Sequence, residues 1–296
     1  MNNKTIKLAV ISGKGGVGKS MVCASFCLLS SQKNHIVAVD CDVDAPNLAI
    51  WLNETSEWQR TVPVNTFSKV KIDYDKCISC DVCIEKCRFG AIDKKNESKP
   101  EINNFLCDGC GACESVCPYT AISPVSTQSG EVKTKQTKYG FPLVLGHLFS
   151  GEAATNKVIN EVKKEADNFD SALQIIDSPP GIGAPVLATL YNVNFTVVIS
   201  EPTPSGFSDV IRVLEVVKKH NIPWGLIINK WDLNIKEADK ISELAGSNLL
   251  GKISYDNGVM KATSDFIPIM ETQLKVADEI KVIYNKLKAR ITEEAL

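Results

Sequence analysis

Short apolar runs alternate along the chain with longer stretches of helical character. The apolar runs predict strands near residues 6–12, 36–41, 173–177, 195–200, 223–229 and 248–253. The longer stretches predict helices near residues 18–32, 152–167, 205–220 and 270–290. Buried strands that alternate with helices are typical of a mostly parallel sheet covered on both faces, so we expect a doubly wound α/β fold.

A cysteine-rich stretch interrupts this alternation. We expect an inserted α+β domain over residues 66–124 and a main domain formed by residues 1–65 and 125–296. The segment 125–145 is first polar and then apolar, which predicts strands that return the chain to the main sheet. The length of 296 residues allows two modest domains or one large domain with an insertion.

Composition and charge disfavour several classes of function. Lysine and arginine total 33 against 35 for aspartate and glutamate, a formal net charge of −2. This balance gives no general reason to expect nucleic acid or acidic membranes as partners. No apolar run approaches the ~18–20 residues that span a bilayer. The first apolar run follows two lysines, as in a signal peptide, but it is short and lacks a small-residue cleavage site, so we expect a cytoplasmic protein.

Eight of the eleven cysteines lie in the inserted stretch. In a chain expected to stay in the cytoplasm, clustered cysteines favour metal binding over disulfides. Their spacing is an internal repeat in which each copy reads C-x2-C-x2-C-x3-C. The first copy contains Cys77, Cys80, Cys83 and Cys87, and the second contains Cys107, Cys110, Cys113 and Cys117.

The repeated spacing resembles the ligand pattern of bacterial ferredoxins. Thiolate is the soft ligand that iron–sulfur clusters select, and two-residue spacers let one loop wrap three corners of a cube. A pair of structural zinc sites is the alternative, although each copy has a third close cysteine beyond a C-x2-C pair. Arg88 stands where the second copy has the expected Pro118. By resemblance, one [4Fe–4S] cluster is held by Cys77, Cys80, Cys83 and Cys117, and another by Cys107, Cys110, Cys113 and Cys87.

A glycine-rich loop follows the first predicted strand. It matches the phosphate-binding pattern G-x-x-x-x-G-K-S/T and also the dinucleotide pattern G-x-G-x-x-G, but Lys19 and Ser20 favour a nucleoside triphosphate. In such a loop the amides and the helix start face phosphate, Lys19 neutralises the β- and γ-oxygens, and Ser20 ligates Mg²⁺. The loop consists of Gly13, Lys14, Gly15, Gly16, Val17, Gly18, Lys19 and Ser20.

The string GKGGVGKS also resembles the deviant Walker A motif of the MinD/ParA/Mrp/nitrogenase-iron-protein class of P-loop ATPases. The resemblance implies that Lys14 reaches the nucleotide of a partner, and hence a homodimer or a dimer with a paralogous ATPase. Residues 40–46 resemble the D-x-D-x-x-x-P segment of the Mrp branch. By that match Asp42 faces the γ-phosphate and the attacking water, and Asp40 supports Mg²⁺-bound water. A solvated acidic turn is the alternative.

Two further segments match the same class. Asp177 ends an apolar strand and Gly181 follows a proline pair. The resemblance implies that Asp177 holds the Mg²⁺ shell and that Gly181 turns its amide toward the γ-phosphate; a helix cap by Asp177 is the alternative. Residues 229–232 resemble the N-K-x-D base-reading segment, which implies that Asn229 and Asp232 contact a purine. A match of four residues does not distinguish ATP from GTP as the bound nucleotide, but the family resemblance favours ATP.

The leading functional hypothesis is a Mg²⁺-dependent ATPase that couples nucleotide state to electron transfer through two [4Fe–4S] clusters. Its catalytic residues would be Lys14, Lys19, Asp42 and Asp177, and its client would be a redox or iron–sulfur protein that the sequence does not identify.

Two alternatives remain open at this point. An ATP-dependent iron–sulfur carrier is one, but related carriers bridge a labile cluster through a later C-x-x-C, and no cysteine follows Cys117. A redox-sensing positioning ATPase is the other. The amphipathic C-terminal segment lacks a face of large aromatics, so we expect it to pack on the core and not to bind a membrane.

Cys23 and Cys27 are expected to be small buried residues, with a labile metal or redox pair as the alternative, and the pattern assigns no role to Cys41.

Overall fold

Strands and helices alternate along the chain in a computed structural model, which describes residues 5–96 and 98–294. The strands are β1 (Ile6–Ser12), β2 (Ile36–Asp40), β3 (Arg60–Ile72), β4 (Ile92–Asp93), β5 (Glu101–Ile102), β6 (Ile122–Gln136), β7 (Pro142–Leu148), β8 (Leu173–Asp177), β9 (Phe195–Ser200), β10 (Trp224–Asn229) and β11 (Leu249–Ile253). The helices are α1 (Lys19–Ser31), α2 (Leu48–Trp51), α3 (Val82–Lys86), α4 (Ala112–Ser115), α5 (Thr155–Ala166), α6 (Ala184–Leu190), α7 (Pro204–Lys219), α8 (Ile235–Ala245), α9 (Asn257–Ser264) and α10 (Lys275–Glu294).

One large sheet organises the main part of the chain. Its strand order is β11-β10-β9-β1-β8-β2-β7-β6-β3. The strands from β11 to β7 run parallel, and β6 and β3 continue the sheet with antiparallel pairing. Every residue of β2 and β9 is buried, as expected for parallel strands covered by helices. The predicted fold class, a mostly parallel doubly wound α/β sheet, is confirmed.

Helices bury the two faces of the sheet. On one face α1 packs beside α10, where the ring of Phe26 lies 5.6 Å from that of Tyr284. On the other face α7 packs against β1 and β9, α8 packs against β10, and α5 packs against β2 and β7. The carboxyl ends of β1, β2 and β8 meet at one edge of this sandwich, which is the edge where open α/β sheets bind ligands.

The cysteine-rich insert extends from the end of a long antiparallel ribbon. Strands β3 and β6 pair from Arg60 with Thr134 to Ile72 with Ile122, and residues 73–121 connect them. The insert has a small core of its own around Val70, Ile92, Cys113 and Ile122. The expected boundaries at 66 and 124 fall within β3 and β6, so the strands of the ribbon belong to the sheet and continue into the insert.

Several elements differ from the sequence-based expectation. Strand β3 was not predicted, because its apolar residues alternate with polar ones and include Pro63, as suits the last strand of a sheet. Helices α6, α8 and α9 were also missed, because α6 and α9 are only 7 and 8 residues long and α8 presents mostly polar residues to solvent. Helices α5 and α10 begin at Thr155 and Lys275, a few residues later than expected. Across residues 5–96 and 98–294, the helices include none with the length and apolar character needed to cross a membrane.

Candidate functional site

The glycine-rich loop between β1 and α1 borders a cleft of about 460 Å³. Gly16 and Gly18 have φ angles of +78° and +91°, a left-handed conformation that favours glycine. Gly13 passes so close to α7 that a Cβ atom on it would lie 2.5 Å from Cβ of Asp209. The loop leads directly into α1, whose N-terminus favours anions. The loop residues on the cleft wall are Gly15, Gly16, Gly18, Lys19 and Ser20.

Lys19 lies at the base of this cleft between two aspartates. Its Nζ donates a hydrogen bond to Asp177 Oδ1 at 2.8 Å and lies 3.8 Å from Asp42 Oδ2. Burial alone would lower the pKa of Lys19, but the charge and hydrogen bond of Asp177 raise it overall. Asp177 Oδ2 is buried and accepts no hydrogen bond from the described residues. An unpartnered carboxylate oxygen beside a phosphate loop fits a site for a hard cation such as Mg²⁺.

Asp40 and Asp42 complete this group of charges. Burial, with a further contribution from Asp177, raises the pKa of Asp40 to about 8. Burial also raises the pKa of Asp42 to about 6, against the opposing effect of Lys19. Three carboxyl groups therefore lie around one ammonium, and the raised pKa values of Asp40 and Asp42 mean that the three do not all ionise readily; a divalent cation would favour their ionised form.

Asp40 has a clear structural role in this arrangement. Its Oδ1 accepts a hydrogen bond from the amide of Asp42 at 3.0 Å, and its Oδ2 accepts from the amides of Asn47 and Leu48 at 3.0 and 2.9 Å. Asp40 thus fixes the loop that carries Asp42 and the start of α2. A role toward Mg²⁺-bound water stays a prediction.

Lys14 lies beside the cleft and is not part of its wall. Its Nζ lies 3.5 Å from Glu201 Oε2 and 3.4 Å from Thr203 Oγ1, in the loop after β9. Lys230 donates to the other oxygen of Glu201 at 2.6 Å. The Lys14 side chain is one-third exposed. The two lysines of the loop therefore have different environments, Lys19 buried among carboxylates and Lys14 at the surface.

The other residues expected at the nucleotide make contacts of their own. Asn229 lies on the cleft wall, but its Nδ2 donates to the carbonyl of Val17 at 2.8 Å and its Oδ1 accepts from the amide of Lys230 at 3.0 Å. Asp232 is exposed and accepts from the amide of Tyr255 at 2.8 Å. The Gly181 amide donates to the carbonyl of Ser12 at 2.9 Å. In this structure Asn229 thus holds the phosphate loop and Gly181 holds the end of β1, and purine or phosphate contact by these residues stays a prediction.

Part of the cleft wall was missed by sequence reasoning. Helix α9 and the region around α2 contribute surface that no nucleotide motif marks. The only local signal in α9 is its start, where the side chain of Asp256 accepts from the amide of Gly258 at 2.7 Å and caps the helix. These added residues are Asn47, Trp51, Val259, Met260, Thr263 and Ser264.

The eight repeated cysteines surround two separate cavities, and each cavity takes three cysteines from one copy and the fourth from the other. The first cavity is lined by Cys77, Cys80, Cys83 and Cys117, and the second by Cys87, Cys107, Cys110 and Cys113. These are the two sets expected from the ferredoxin resemblance. Burial raises the pKa of Cys83 and Cys113, so ligation of a soft metal there would displace a thiol proton. Over residues 5–96 and 98–294, no three histidine, cysteine or acidic side chains are arranged to hold a single metal ion.

The backbone of the insert repeats along with its cysteines. Ser79 and Gly109, which are equivalent in the two copies, both have a φ of about +60°, and Asp81 and Gly111 have φ of +63° and +74°. The amides of Ala91 and Ala121 donate to Cys87 Sγ and Cys117 Sγ, each at 3.3 Å. The cysteine loops therefore have one geometry in both copies, and amides reach the sulfur atoms.

The copies differ at Arg88, where the second copy has Pro118. The guanidinium of Arg88 lies 4.9 Å from the ring centroid of Phe89, which lines the second cavity. The cation is thus held near the cavity of Cys87, Cys107, Cys110 and Cys113.

The three cysteines outside the repeat are Cys23, Cys27 and Cys41. All three are wholly buried in the main core, the position expected of small apolar side chains.

Comparison with known proteins identifies relatives of both parts. Residues 8–269 match the family described as the CobQ/CobB/MinD/ParA nucleotide binding domain. An uncharacterized protein of Methanocaldococcus jannaschii is 36% identical over 284 residues, 96% of each chain. An iron–sulfur cluster carrier protein of Pyrococcus abyssi is 23% identical and covers 89% of this chain and 79% of its own. A ferredoxin of Pyrobaculum islandicum is 35% identical over 75 residues, 25% of this chain and 70% of its own.

The fold is also similar to that of a solved structure. The septum site-determining protein MinD of Pyrococcus horikoshii, complexed with Mg-ADP, superposes with a TM-score of 0.61. The match covers 98% of this chain and 99% of the other at 16% sequence identity. Similarity at this level concerns the fold, and the comparison agrees with the mostly parallel sheet described above.

Proposed function

The chain belongs to the CobQ/CobB/MinD/ParA family of P-loop nucleotide-binding proteins and contains an inserted ferredoxin domain; on that basis we propose a Mg²⁺-dependent ATPase that controls electron transfer through two [4Fe–4S] clusters. The observation that carries the proposal is the lining of the two cavities. Each has a complete set of four cysteines from this one chain. Clusters with four ligands from one subunit are suited to being retained while electrons pass.

The nucleotide chemistry follows from the charges around the phosphate loop. Lys19 would leave its hydrogen bond with Asp177 and neutralise the terminal phosphate oxygens. The Ser20 hydroxyl and Asp177 would then hold Mg²⁺, which supplies charge neutralisation when bound. Asp42, whose pKa is raised by burial, would orient the attacking water.

Lys14 supports a dimer as the active form. Its ammonium lies at the surface beside the cleft, held by Glu201 at 3.5 Å. We infer that it leaves this carboxylate when a second subunit approaches and reaches the partner's nucleotide. The second subunit is either another copy of this chain or a related ATPase. The location of both subunits in the cytoplasm remains a prediction.

The cysteine sets would hold the two redox centres, and these supply one-electron storage when bound. Electrons would come from a reduced one-electron carrier protein and leave to an oxidised client protein, so that each transfer oxidises the donor and reduces the acceptor by one electron. ATP binding and hydrolysis would set when that client can dock.

A second candidate is delivery of iron–sulfur clusters. It is favoured by the relative named as an iron–sulfur cluster carrier protein, which aligns over most of this chain. Delivery needs a labile cluster, whereas both sets here are complete within one chain. Cluster loss to an apo-acceptor that depends on ATP would favour this candidate over electron transfer.

The experiment that tests the proposal is anaerobic purification followed by iron analysis and reductive titration. We expect about eight irons per chain, since two cubes contain four each, and reversible one-electron reduction of both centres. ATP turnover should require Mg²⁺ and change when a one-electron donor is present. Four or fewer irons with tightly bound zinc would contradict the assignment of two cubes.

A further inference from the structure

A buried lysine connects the second cysteine cavity to the main sheet. Lys69 is on β3 and is 7% exposed. Its Nζ donates to the carbonyl of Cys107 at 3.0 Å and to the carbonyl of Gly151 at 3.2 Å. It also lies 3.4 Å from Glu152 Oε1. One ammonium therefore contacts both a cysteine of the insert and the loop between β7 and α5.

A local irregularity of the ribbon accompanies this arrangement. The register of pairing between β3 and β6 shifts between Thr66 and Lys69. Thr66 pairs with Thr127 and Lys69 pairs with Val125, so three residue steps on β3 correspond to two on β6. An extra residue of this kind bends a strand and redirects its side chains. The bulge thus lies where Lys69 turns toward the loop of Gly151 and Glu152.

That loop is in turn connected to the nucleotide cleft. The carbonyl of Val43, next to Asp42, accepts a hydrogen bond from the amide of Leu148 at 2.8 Å. The amide of the next residue, Phe149, donates to the carbonyl of Ser129 at 2.9 Å. The Ser129 hydroxyl donates to Glu152 Oε2 at 2.9 Å.

Together these contacts form a continuous path. It begins at the loop of Asp42, which borders the terminal phosphate position in the proposed function, and it ends at the backbone of Cys107. We call the four residues Val43, Ser129, Glu152 and Lys69 the relay. A path of contacts does not by itself carry coupling, so a shift of one end must be shown to bias the other.

We propose that Lys69 is a positioning residue through which the nucleotide-facing loop acts on the Cys87, Cys107, Cys110 and Cys113 set. This inference rests on the proposed function, since it requires nucleotide and clusters to bind. Movement of the Asp42 loop when the γ-phosphate is present alters the Val43 to Leu148 contact, and the relay moves Lys69 relative to Cys107. Because an ammonium close to a cluster favours its reduced, more negative form, that movement changes the midpoint potential of this centre.

The first copy of the motif has a different environment. Its Asp81 pairs with Lys94, and the Tyr74 carbonyl accepts from Lys99, so both contacts stay inside the insert. We therefore expect nucleotide to shift the midpoint of the centre held by Cys87, Cys107, Cys110 and Cys113. The midpoint of the other centre should stay nearly unchanged.

The test is a spectroscopic redox titration of the iron-loaded protein, with and without a non-hydrolysable ATP analogue and Mg²⁺. In Lys69→Met we expect one midpoint to fall by about 59 mV, a tenfold change for a one-electron couple, and its response to nucleotide to disappear. Lys69→Arg should restore the unsubstituted midpoint, because it keeps the charge. Glu152→Gln, which removes a negative charge 3.4 Å from the Lys69 ammonium, should raise this midpoint in the absence of nucleotide and weaken the nucleotide response.

Lys135→Met is the matched control. Lys135 is on β6 and is 1% exposed, and its Nζ donates to the carbonyls of Glu54 and Ser56 at 2.9 and 3.0 Å. It is thus a buried lysine bound to carbonyls, as Lys69 is, but it is not a member of the relay. We expect both midpoints and their nucleotide response to be unchanged in this variant.

Iron content and nucleotide affinity are measured first in every variant. Unsubstituted protein that lacks the irons or fails to bind nucleotide would defeat the proposed function, and this inference with it. Lys69→Met protein that contains all its iron, binds nucleotide and retains both midpoints and their response would overturn the inference alone. Equal losses in Lys69→Met and Lys135→Met would also overturn it, since they would show a general effect of removing a buried lysine.

Discussion

The nucleotide cleft takes its residues from strands far apart in the sequence, whereas the cysteine insert takes the cysteines of its two cavities from two short copies of one motif. Lys19, Asp42 and Asp177 meet because β1, β2 and β8 are neighbours in a nine-stranded sheet. The insert has a core of only a few apolar residues around its cysteines. We expect a core this small to depend on bound metal for its stability, while the cleft is formed by the sheet itself.

This difference suggests that each region can be damaged without the other, although contacts join them. Substitutions in the cleft should stop turnover and leave the iron in place. Substitutions in the insert should remove iron and leave the sheet folded. The following predictions test that separation.

The largest effect is expected for Lys19→Met. Because the buried ammonium is the principal positive charge at the base of the cleft, ATP turnover should fall roughly 1,000-fold or more. Iron content should be unchanged. Turnover assays and iron analysis on the same preparation check both, with Lys164→Met, at a mostly exposed lysine of α5, as the control. Normal turnover would contradict the assignment of the site.

Lys14→Ala should lower turnover about 100-fold while nucleotide binding is retained, because its ammonium acts on the partner's nucleotide. Mixing tests this directly. In a mixed dimer, the Lys19→Met subunit still supplies Lys14 to the nucleotide of the Lys14→Ala subunit. Activity that returns on mixing two inactive proteins supports action across a dimer, and mixtures that stay inactive at concentrations where the subunits associate would count against it.

Cys113→Ser should roughly halve the iron, from about eight to about four per chain, because one cavity loses a ligand. The main sheet should stay folded, as judged by circular dichroism and nucleotide binding. Cys23→Ala is the control, since Cys23 is buried in the core of the main domain and should leave the iron count unchanged. A full complement of iron in Cys113→Ser would show that the ligand set is wrong.

The smallest effect concerns the two copies of the motif. Ser79 has a left-handed φ of +60° where the second copy has Gly109. Ser79→Gly should stabilise this loop by about 1 kcal/mol and slow iron release to a chelator about fivefold. The reciprocal change, Gly109→Ser, should accelerate release by a similar factor. Identical release from both variants would show that the backbone conformation does not limit cluster retention.

Much of the main fold could be predicted because it follows from buried strands. β1, β8 and β9 are mostly apolar runs, and Asp177 ends one of them, so their positions and the carboxyl edge of the sheet were expected. The grouping of the cysteines into two sets was expected from the ferredoxin resemblance, which a local spacing carries. β3 was not, because an edge strand with alternating polar residues has no such run.

The contacts that the sequence could not reveal are tertiary. Asn229 was expected at a purine, yet its amide holds the Val17 carbonyl of the phosphate loop, 212 residues away. Lys69 is one of many lysines in the sequence, and only the bulge and the loop of Glu152 distinguish it. Pairing between distant side chains depends on the assembled sheet, which no local pattern describes.

The central claim is that nucleotide and cluster state are coupled within one chain. Linkage requires that, if nucleotide alters reduction, reduction must alter nucleotide affinity by the same factor. The most direct measurement is therefore the Kd of a Mg²⁺-bound, non-hydrolysable ATP analogue for the oxidised and the reduced iron-loaded protein. The account predicts values that differ about fivefold or more, a difference that is lost in Lys69→Met. Equal affinities in protein with its full iron content would contradict it.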